Sequence, residues 1–254
     1  MNSVLNKQFI SEKSKLETFI YNFEEEGVQL GKADRNTIKC FNLNGLEINI
    51  KSFKVPNVIN KIVYRFFRKS KAQRSYEYAN KLTNLGVGTP QPIAYYEFVS
   101  PFVFKNSYYI SEHINCDLTY RELTTNFNYP NHEAILRAFA RFTFNLHEKG
   151  IHFLDHSPGN TLIEIKHGGY KFYLVDLNRM EFKPLDFETR IKNFAKLTIH
   201  KEMVEVMSDE YAKCSGVEYS KVFNLMWSET EAFQARYHRK RRMKNKVKFW
   251  KSAR

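Results

Sequence analysis

Gly150-Ile151-His152-Phe153-Leu154-Asp155-His156-Ser157-Pro158-Gly159-Asn160, followed by Tyr173-Leu174-Val175-Asp176-Leu177-Asn178, is the most informative part of the chain. It sets an Asp on a tight Pro-Gly loop, with an Asn five residues later. A second Asp stands at the end of an apolar strand. That is the spacing by which phosphoryl-transfer sites set a hydroxyl-orienting carboxylate beside two metal ligands. Alone, an Asp in a Pro-Gly loop is an ordinary turn former. The spacing and the second Asp together are what raise it above that reading.

Upstream of the loop, Pro130-Asn131 opens a helix whose Ile135, Ala138, Phe139, Phe142 and Leu146 share a face, and Gly150 closes it. Downstream, Leu162 to Ile165 and Tyr170 to Val175 form a hairpin around His167-Gly168-Gly169. Asp186 reads as the cap of the next helix, where Ile191, Phe194 and Leu197 lie on one side. Toward the N-terminus the spacing predicts a helix over 8–25, ended at Gly27. Residues 36–53 predict two strands joined at Asn44-Gly45, a strong short hairpin signal. Asn57 to Leu82 is basic and apolar, with Ile59, Ile62, Val63, Phe66 and Phe67 at helical steps. Two more strands are expected over Pro92–Val99 and Ser107–Ser111. A strand-rich part therefore precedes a helix-rich part that carries the polar loop, and two lobes are expected.

The 254 residues suffice for two such lobes, and 43% hydrophobic content suffices for packed cores. Cys40, Cys116 and Cys214 are odd in number and scattered, as expected of plain thiols in a reducing compartment. Neither a secretory leader nor an apolar run of membrane-spanning length is present, so a cytoplasmic protein is expected. The formal charge of +13 is concentrated at the C-terminus. From Arg236 onward there are ten Lys or Arg and no Asp or Glu, which suits an anionic partner such as a membrane surface or nucleic acid.

The sequence resembles the protein-kinase-like superfamily, and within it the bacterial lipopolysaccharide kinases that phosphorylate Kdo or heptose of the inner core. The likeness runs through Arg35-Asn36, Lys51-Ser52-Phe53-Lys54, Tyr64 to Tyr78, Ser107-Tyr108-Tyr109-Ile110-Ser111-Glu112 and the Asp155 loop. It implies an α+β bilobal protein-kinase-like fold with an antiparallel-sheet N-lobe and a helical C-lobe. The boundaries expected are 1–109 for the N-lobe, 110–115 for a hinge, 116–235 for the C-lobe and 236–254 for a basic tail.

The resemblance also assigns roles. Asp155 would orient the acceptor hydroxyl and take its proton. Asn160 and Asp176 would hold Mg2+ on the phosphates of ATP, hard oxygen ligands suiting that ion. Lys51 would grip the phosphates, since alternation puts it opposite Leu46, Ile48 and Ile50; Lys54 is the rival. Glu77 would pair with that lysine, or with Lys81 at the i+4 position. Ile110, Glu112 and His113 would meet the adenine, mainly through their backbone. The acceptor implied is Kdo-lipid A, a lipid-linked anionic glycan, reached from the cytoplasmic face of the bacterial inner membrane with residues 236–254 on its anionic surface.

Three departures stand out. No GxGxxG loop is present, only Gly27 and Gly31; Phe153 replaces the expected His; Asp176-Leu177-Asn178 replaces Asp-Phe-Gly. The scarcity of sequence between Asp176 and Asp186 leaves little platform for a protein substrate. His152, His156 and His167 are expected as plain polar loop residues. The stripe from Ile59 to Phe67 fits core packing better than membrane contact, and a solvated tail fits residues 236–254 as well as an anchor does. Competing functions are a protein or aminoglycoside-like small-molecule kinase of the same fold, or a non-catalytic nucleic-acid-binding protein acting through the tail. Nucleic acid is disfavoured as a partner, because phosphate contacts alone give weak, sequence-indifferent binding.

Overall fold

The computed structural model describes residues 1–31, 36–53, 63–64 and 67–252, the stretch 246–252 by its backbone. Its contacts divide the chain into one unit of Met1–Asn115 with Tyr173–Arg179, and a second of Cys116–Phe172 with Met180–Arg254.

The first unit runs β1 (Asn2–Leu5), a 3-10 turn (Lys7–Glu12), α1 (Lys13–Tyr21), β2 (Val28–Gln29), β3 (Asn36–Leu43), β4 (Leu46–Phe53), α2 (Lys71–Asn84), β5 (Pro92–Val99) and β6 (Phe104–Glu112). Its six strands form one antiparallel sheet in the order β1-β5-β6-β4-β3-β2. The hairpin expected at Asn44-Gly45 is present, both residues at positive φ (54° and 94°) as the right-handed twist of its strands requires. Alternation then sorts the side chains. Ile48 and Ile50 are fully buried with Leu16, Ile20 and Phe23 beneath α1, each contributing roughly 1.5–3 kcal/mol of burial. α2 packs on β5 and β6, with Tyr76 against Tyr95.

The helix expected over 8–25 is shorter and broken: a 3-10 turn precedes α1, with non-helical backbone at Phe9. In its wake, buried Lys39 of β3 donates from Nζ to the carbonyls of Phe23 (2.6 Å), Glu24 (2.9 Å) and Glu26 (2.9 Å). An ammonium here satisfies carbonyls that no helix continues to use. Of the segment 57–82, α2 accounts for the second half, and most of the Ile59–Phe67 stripe lies outside the described residues.

The second unit runs β7 (Leu118–Thr119), α3 (Tyr120–Thr125), α4 (His132–Glu148), β8 (Ile151–Phe153), β9 (Thr161–Lys166), β10 (Gly169–Leu174, whose last two residues group with the first unit), β11 (Met180–Phe182), α5 (Phe187–Lys192), α6 (Lys201–Ser215) and α7 (Tyr219–Ser252). Its core joins Phe139, Phe194, Met207, Tyr211 and Met226. Asp186 caps α5 as expected, its carboxylate accepting from Thr189 N at 2.7 Å. The basic C-terminus is exposed over residues 235–245, and its backbone is helical, continuing α7 to Ser252. Nine of the ten basic residues fall in this helix's C-terminal half, which is compatible with its macrodipole. The three cysteines are free thiols.

Candidate active site

Lys51 sits in the middle of β4, between Ile38 of β3 and Tyr109 of β6. It faces away from Ile48 and Ile50, and its ammonium lies 5.4 Å from the centre of the Phe53 ring. Nζ donates to Asp176 Oδ1 at 2.7 Å, joining residues 125 apart in sequence. Asp176 is fixed by its approach. Leu174 N donates to Gly88 O and Thr89 Oγ1 to Leu174 O, each at 2.9 Å. Asp176 itself has φ of 58°, in the left-handed region that Asp, Asn and Gly enter most readily. Asn178 Nδ2 also donates to Oδ1, at 2.6 Å. This is a use for the Asn that replaces Gly in the expected motif. With both donors on Oδ1, Oδ2 receives no donor among the described residues.

Glu77 stands elsewhere in the hydrogen-bond pattern. It accepts from Lys69 Nζ on both oxygens at 2.8 Å and from Gln73 Nε2 at 3.0 Å. The pair expected with Lys51 is not formed. Lys69 immediately precedes the Ser70 cap of α2 and reaches the second turn of the same helix, while Lys51 is held by Asp176. The rival Lys54 lies outside the described residues. Ile110 is fully buried in β6, opposite Ile50. Glu112 N donates to Gln91 O at 3.0 Å and His113 N to Glu47 O at 2.9 Å. Those two N–H groups are therefore committed to the sheet, and a base could use only the carbonyls there.

In the second unit, β8 pairs with β11 and delivers the loop. Gly150 enters it at φ 67°, against the backbone of Lys183. The loop is then clamped at three successive carbonyls. Asn193 Nδ2 donates to Phe153 O at 2.9 Å, Lys196 Nζ donates to Leu154 O at 2.5 Å, and Asn160 Nδ2 donates to Asp155 O at 2.8 Å. Lys196 Nζ also lies 3.7 Å from Asp155 Oδ1. Asn160 spends its amide N–H on the loop, which leaves Oδ1 as a hard ligand. The amide oxygen of Asn160 and the carboxylate oxygen of Asp176 are each, separately, of the hard type that magnesium takes. Among the described residues no cluster of three or more His, Cys, Asp or Glu could hold a metal by itself.

His156 overturns the expectation of a polar loop residue. Its side chain is fully buried between Phe139 (5.3 Å between ring centres) and Phe153 (5.7 Å), with Phe194 at 6.4 Å. Neither ring nitrogen makes a hydrogen bond in geometric terms, although Asn193 lies near enough to favour the charged form slightly. Burial lowers its pKa to about 3, helped by the charges of His147 and Lys196. His147 beneath it bonds Tyr211 Oη at 2.9 Å and Asn193 Oδ1 at 3.3 Å, and burial lowers it to about 4. Two neutral histidines thus underlie the loop.

Asn193 and Lys196 were not anticipated. The stripe through Ile191, Phe194 and Leu197 shows a buried face but not that its polar neighbours would reach carbonyls some 40 residues back.

Among protein families, the model described as the lipopolysaccharide kinase (Kdo/WaaP) family matches residues 55–214, more than half of the chain. No curated protein matches the sequence significantly. Among solved structures, one described as WaaP in complex with acyl carrier protein superposes with a TM-score of 0.63 at 15% identity, covering 91% of this chain and 99% of that one. At that identity the likeness speaks to the fold, which is the α+β protein-kinase-like fold expected.

Proposed function

This chain belongs to the lipopolysaccharide kinase (Kdo/WaaP) family, and from that premise we propose that it transfers the γ-phosphoryl group of ATP to an inner-core sugar hydroxyl. Kdo of Kdo-lipid A is the preferred acceptor, and heptose is next. The observation that carries the reading is the contact of Lys51 with Asp176, which puts the expected phosphate-gripping lysine and the expected metal-holding carboxylate side by side.

Phosphoryl transfer asks mainly for placement and charge neutralisation. Lys51 would bind phosphate oxygens. Asp176 Oδ2 and Asn160 Oδ1 would hold Mg2+, which supplies neutralisation of the triphosphate. Asp155, on a loop clamped at three carbonyls, would orient the acceptor hydroxyl and take its proton. Lys196 would hold that carboxylate in place. Glu77, which accepts from Lys69 and Gln73, would reach Lys51 only by leaving those partners. Adenine would use the carbonyls of Glu112 and His113, with Ile110 contributing through its backbone because its side chain is buried beside Ile50. The working boundaries are an N-lobe over 1–109, a hinge over 110–115, a C-lobe over 116–235 and a basic segment over 236–254.

The exposed basic part of α7 supports a cytoplasmic enzyme resting on the anionic inner face of the bacterial inner membrane, where polybasic attraction is worth about 1 kcal/mol per residue. Among the described residues no helix is long and apolar enough to cross a membrane.

The test is phosphate transfer from labelled ATP to Kdo-lipid A with magnesium, and mass spectrometry of the product. One added phosphate on Kdo is expected. Asp155→Asn should lower kcat by about 10²–10⁴-fold, the usual size of a lost general base, with nucleotide binding kept. Labelling of a protein and of no lipid-linked sugar would overturn the substrate assignment.

A further inference from the structure

Arg121 lies in the first turn of α3, and its backbone is firmly set. Thr119 caps the helix, its Oγ1 accepting from Arg121 N at 3.3 Å, and Thr124 Oγ1 donates to Arg121 O at 2.7 Å. Tyr120 and Leu123 on either side of the flanking turn are fully buried. The Arg121 side chain is nevertheless exposed. Its guanidinium lies against the loop between Asp155 and Asn160. A Cβ added at Gly159 would come 2.6 Å from Nη2 and 3.6 Å from both Cζ and Nε. Glycine at this position is what lets the guanidinium approach the loop backbone.

Three other arginines of this unit, all outside the basic C-terminal stretch, have carboxylate partners: Arg137 with Asp209, Arg141 with Glu210, Arg190 with Glu148. Arg121 has none among the described residues. The adjacent Glu122 carboxylate turns back to Thr119 N (2.8 Å) and Oγ1 (2.5 Å), completing the capping box. So an uncompensated, planar, two-pronged cation is seated one residue from Asn160 and four from Asp155. An anionic acceptor nearing Asp155 meets a like charge and needs a cation beside it. A guanidinium meets a carboxylate or phosphate with two parallel hydrogen bonds, which fixes orientation as well as charge.

We propose that Arg121 is an acceptor-specificity residue: its guanidinium, seated on Gly159, binds a carboxylate or phosphate of the acceptor while Asp155 addresses the hydroxyl. This rests on the kinase reading above.

The experiment is steady-state kinetics of the full chain with Kdo-lipid A, its carboxyl-reduced form and its lipid A-dephosphorylated form, for wild type, Arg121→Gln and Arg121→Lys. A charge-assisted bidentate contact predicts an acceptor KM raised about 10–100-fold in Arg121→Gln. The kcat and the KM for ATP should stay within about twofold, and Arg121→Lys should recover part of the loss. The acceptor on which wild type and Arg121→Gln no longer differ identifies the anion, the carboxylate in one arm and the phosphate in the other. Gly159→Ala, which pushes the guanidinium off the loop while keeping its charge, should raise the same KM. An unchanged acceptor KM in Arg121→Gln beside normal wild-type turnover overturns the role of Arg121 and leaves the kinase reading standing. A rise in KM for ATP instead assigns the guanidinium to the nucleotide and also overturns it. A wild type that phosphorylates no lipid-linked sugar overturns both.

Discussion

Acid should loosen the second unit well above the range where carboxylates titrate, and His156→Leu should remove about half of that sensitivity. Unfolded, a histidine titrates near 6.5. Folded, burial holds His147 down to about 4 and His156 to about 3. Since both folded values lie below the unfolded one, the unfolded chain binds more protons between them, and stability rises with pH there. The contribution is fully present above pH 6.5 and is lost as pH falls toward the folded values, at about 1.4 kcal/mol per pH unit for each ring. At pH 5 each histidine has thus given up about 2 kcal/mol, and the pair about 4 kcal/mol. Against a typical total of 5–15 kcal/mol that is a large share.

Urea unfolding at pH 7.5 and 5.0 would measure it, followed by tryptophan fluorescence, because Trp227 is packed on the second unit's core in α7. At pH 7.5, His156→Leu should unfold within about 1 kcal/mol of wild type, since the ring it replaces makes no geometric hydrogen bond among three phenylalanines. At pH 5 the variant should be the more stable of the two. A variant that follows the wild-type pH dependence throughout, or a wild type indifferent to pH between 7.5 and 5, would refute the assignment of neutral buried rings.

In the first unit, Lys39→Met should cost about 2–4 kcal/mol by orphaning three carbonyls, read as faster hydrogen exchange across β3 and β4. Gly150→Ala should destabilise by about 2–3 kcal/mol, since φ is 67° and the new Cβ would lie 2.9 Å from Lys183 O. Gly168→Ala, at φ 90° with open space around it, should cost about 1 kcal/mol from backbone strain alone. Equal melting temperatures for the two glycine variants would contradict that division between strain and clash.

What could be read in advance follows from range along the chain. The Asn44-Gly45 hairpin, the alternation that turns Lys51 from Ile48 and Ile50, and the Asp186 cap are decided by residues within a few positions, and each is found as expected. The helix after Pro130-Asn131 is likewise found, over His132–Glu148. Elements made by distant pairing escaped. β1 is four half-exposed residues that acquire meaning only beside β5, and the β8–β11 ribbon joins triplets on either side of the hairpin. The site shows the same division. Asp155, Asn160 and Asp176 announce themselves by spacing. Asn193 and Lys196 act on a loop's backbone, and Arg121 lies over its Gly159, relations that leave no mark in residue type. Glu77 was misassigned a partner because a neighbour just before its own helix competes better than a strand lysine already engaged.

The contact between Lys51 and Asp176 ties the fate of each charge to the other. The two side chains cancel one another, so Lys51 can turn to a phosphate only if something else offsets the carboxylate it abandons. Asp176 can likewise accept a cation only if the ammonium finds another anion. An anion alone or a cation alone would strand one member of the couple, whereas both together would give each a new partner. On the kinase reading proposed above, a preference for the complete magnesium nucleotide would then need no dedicated discriminator.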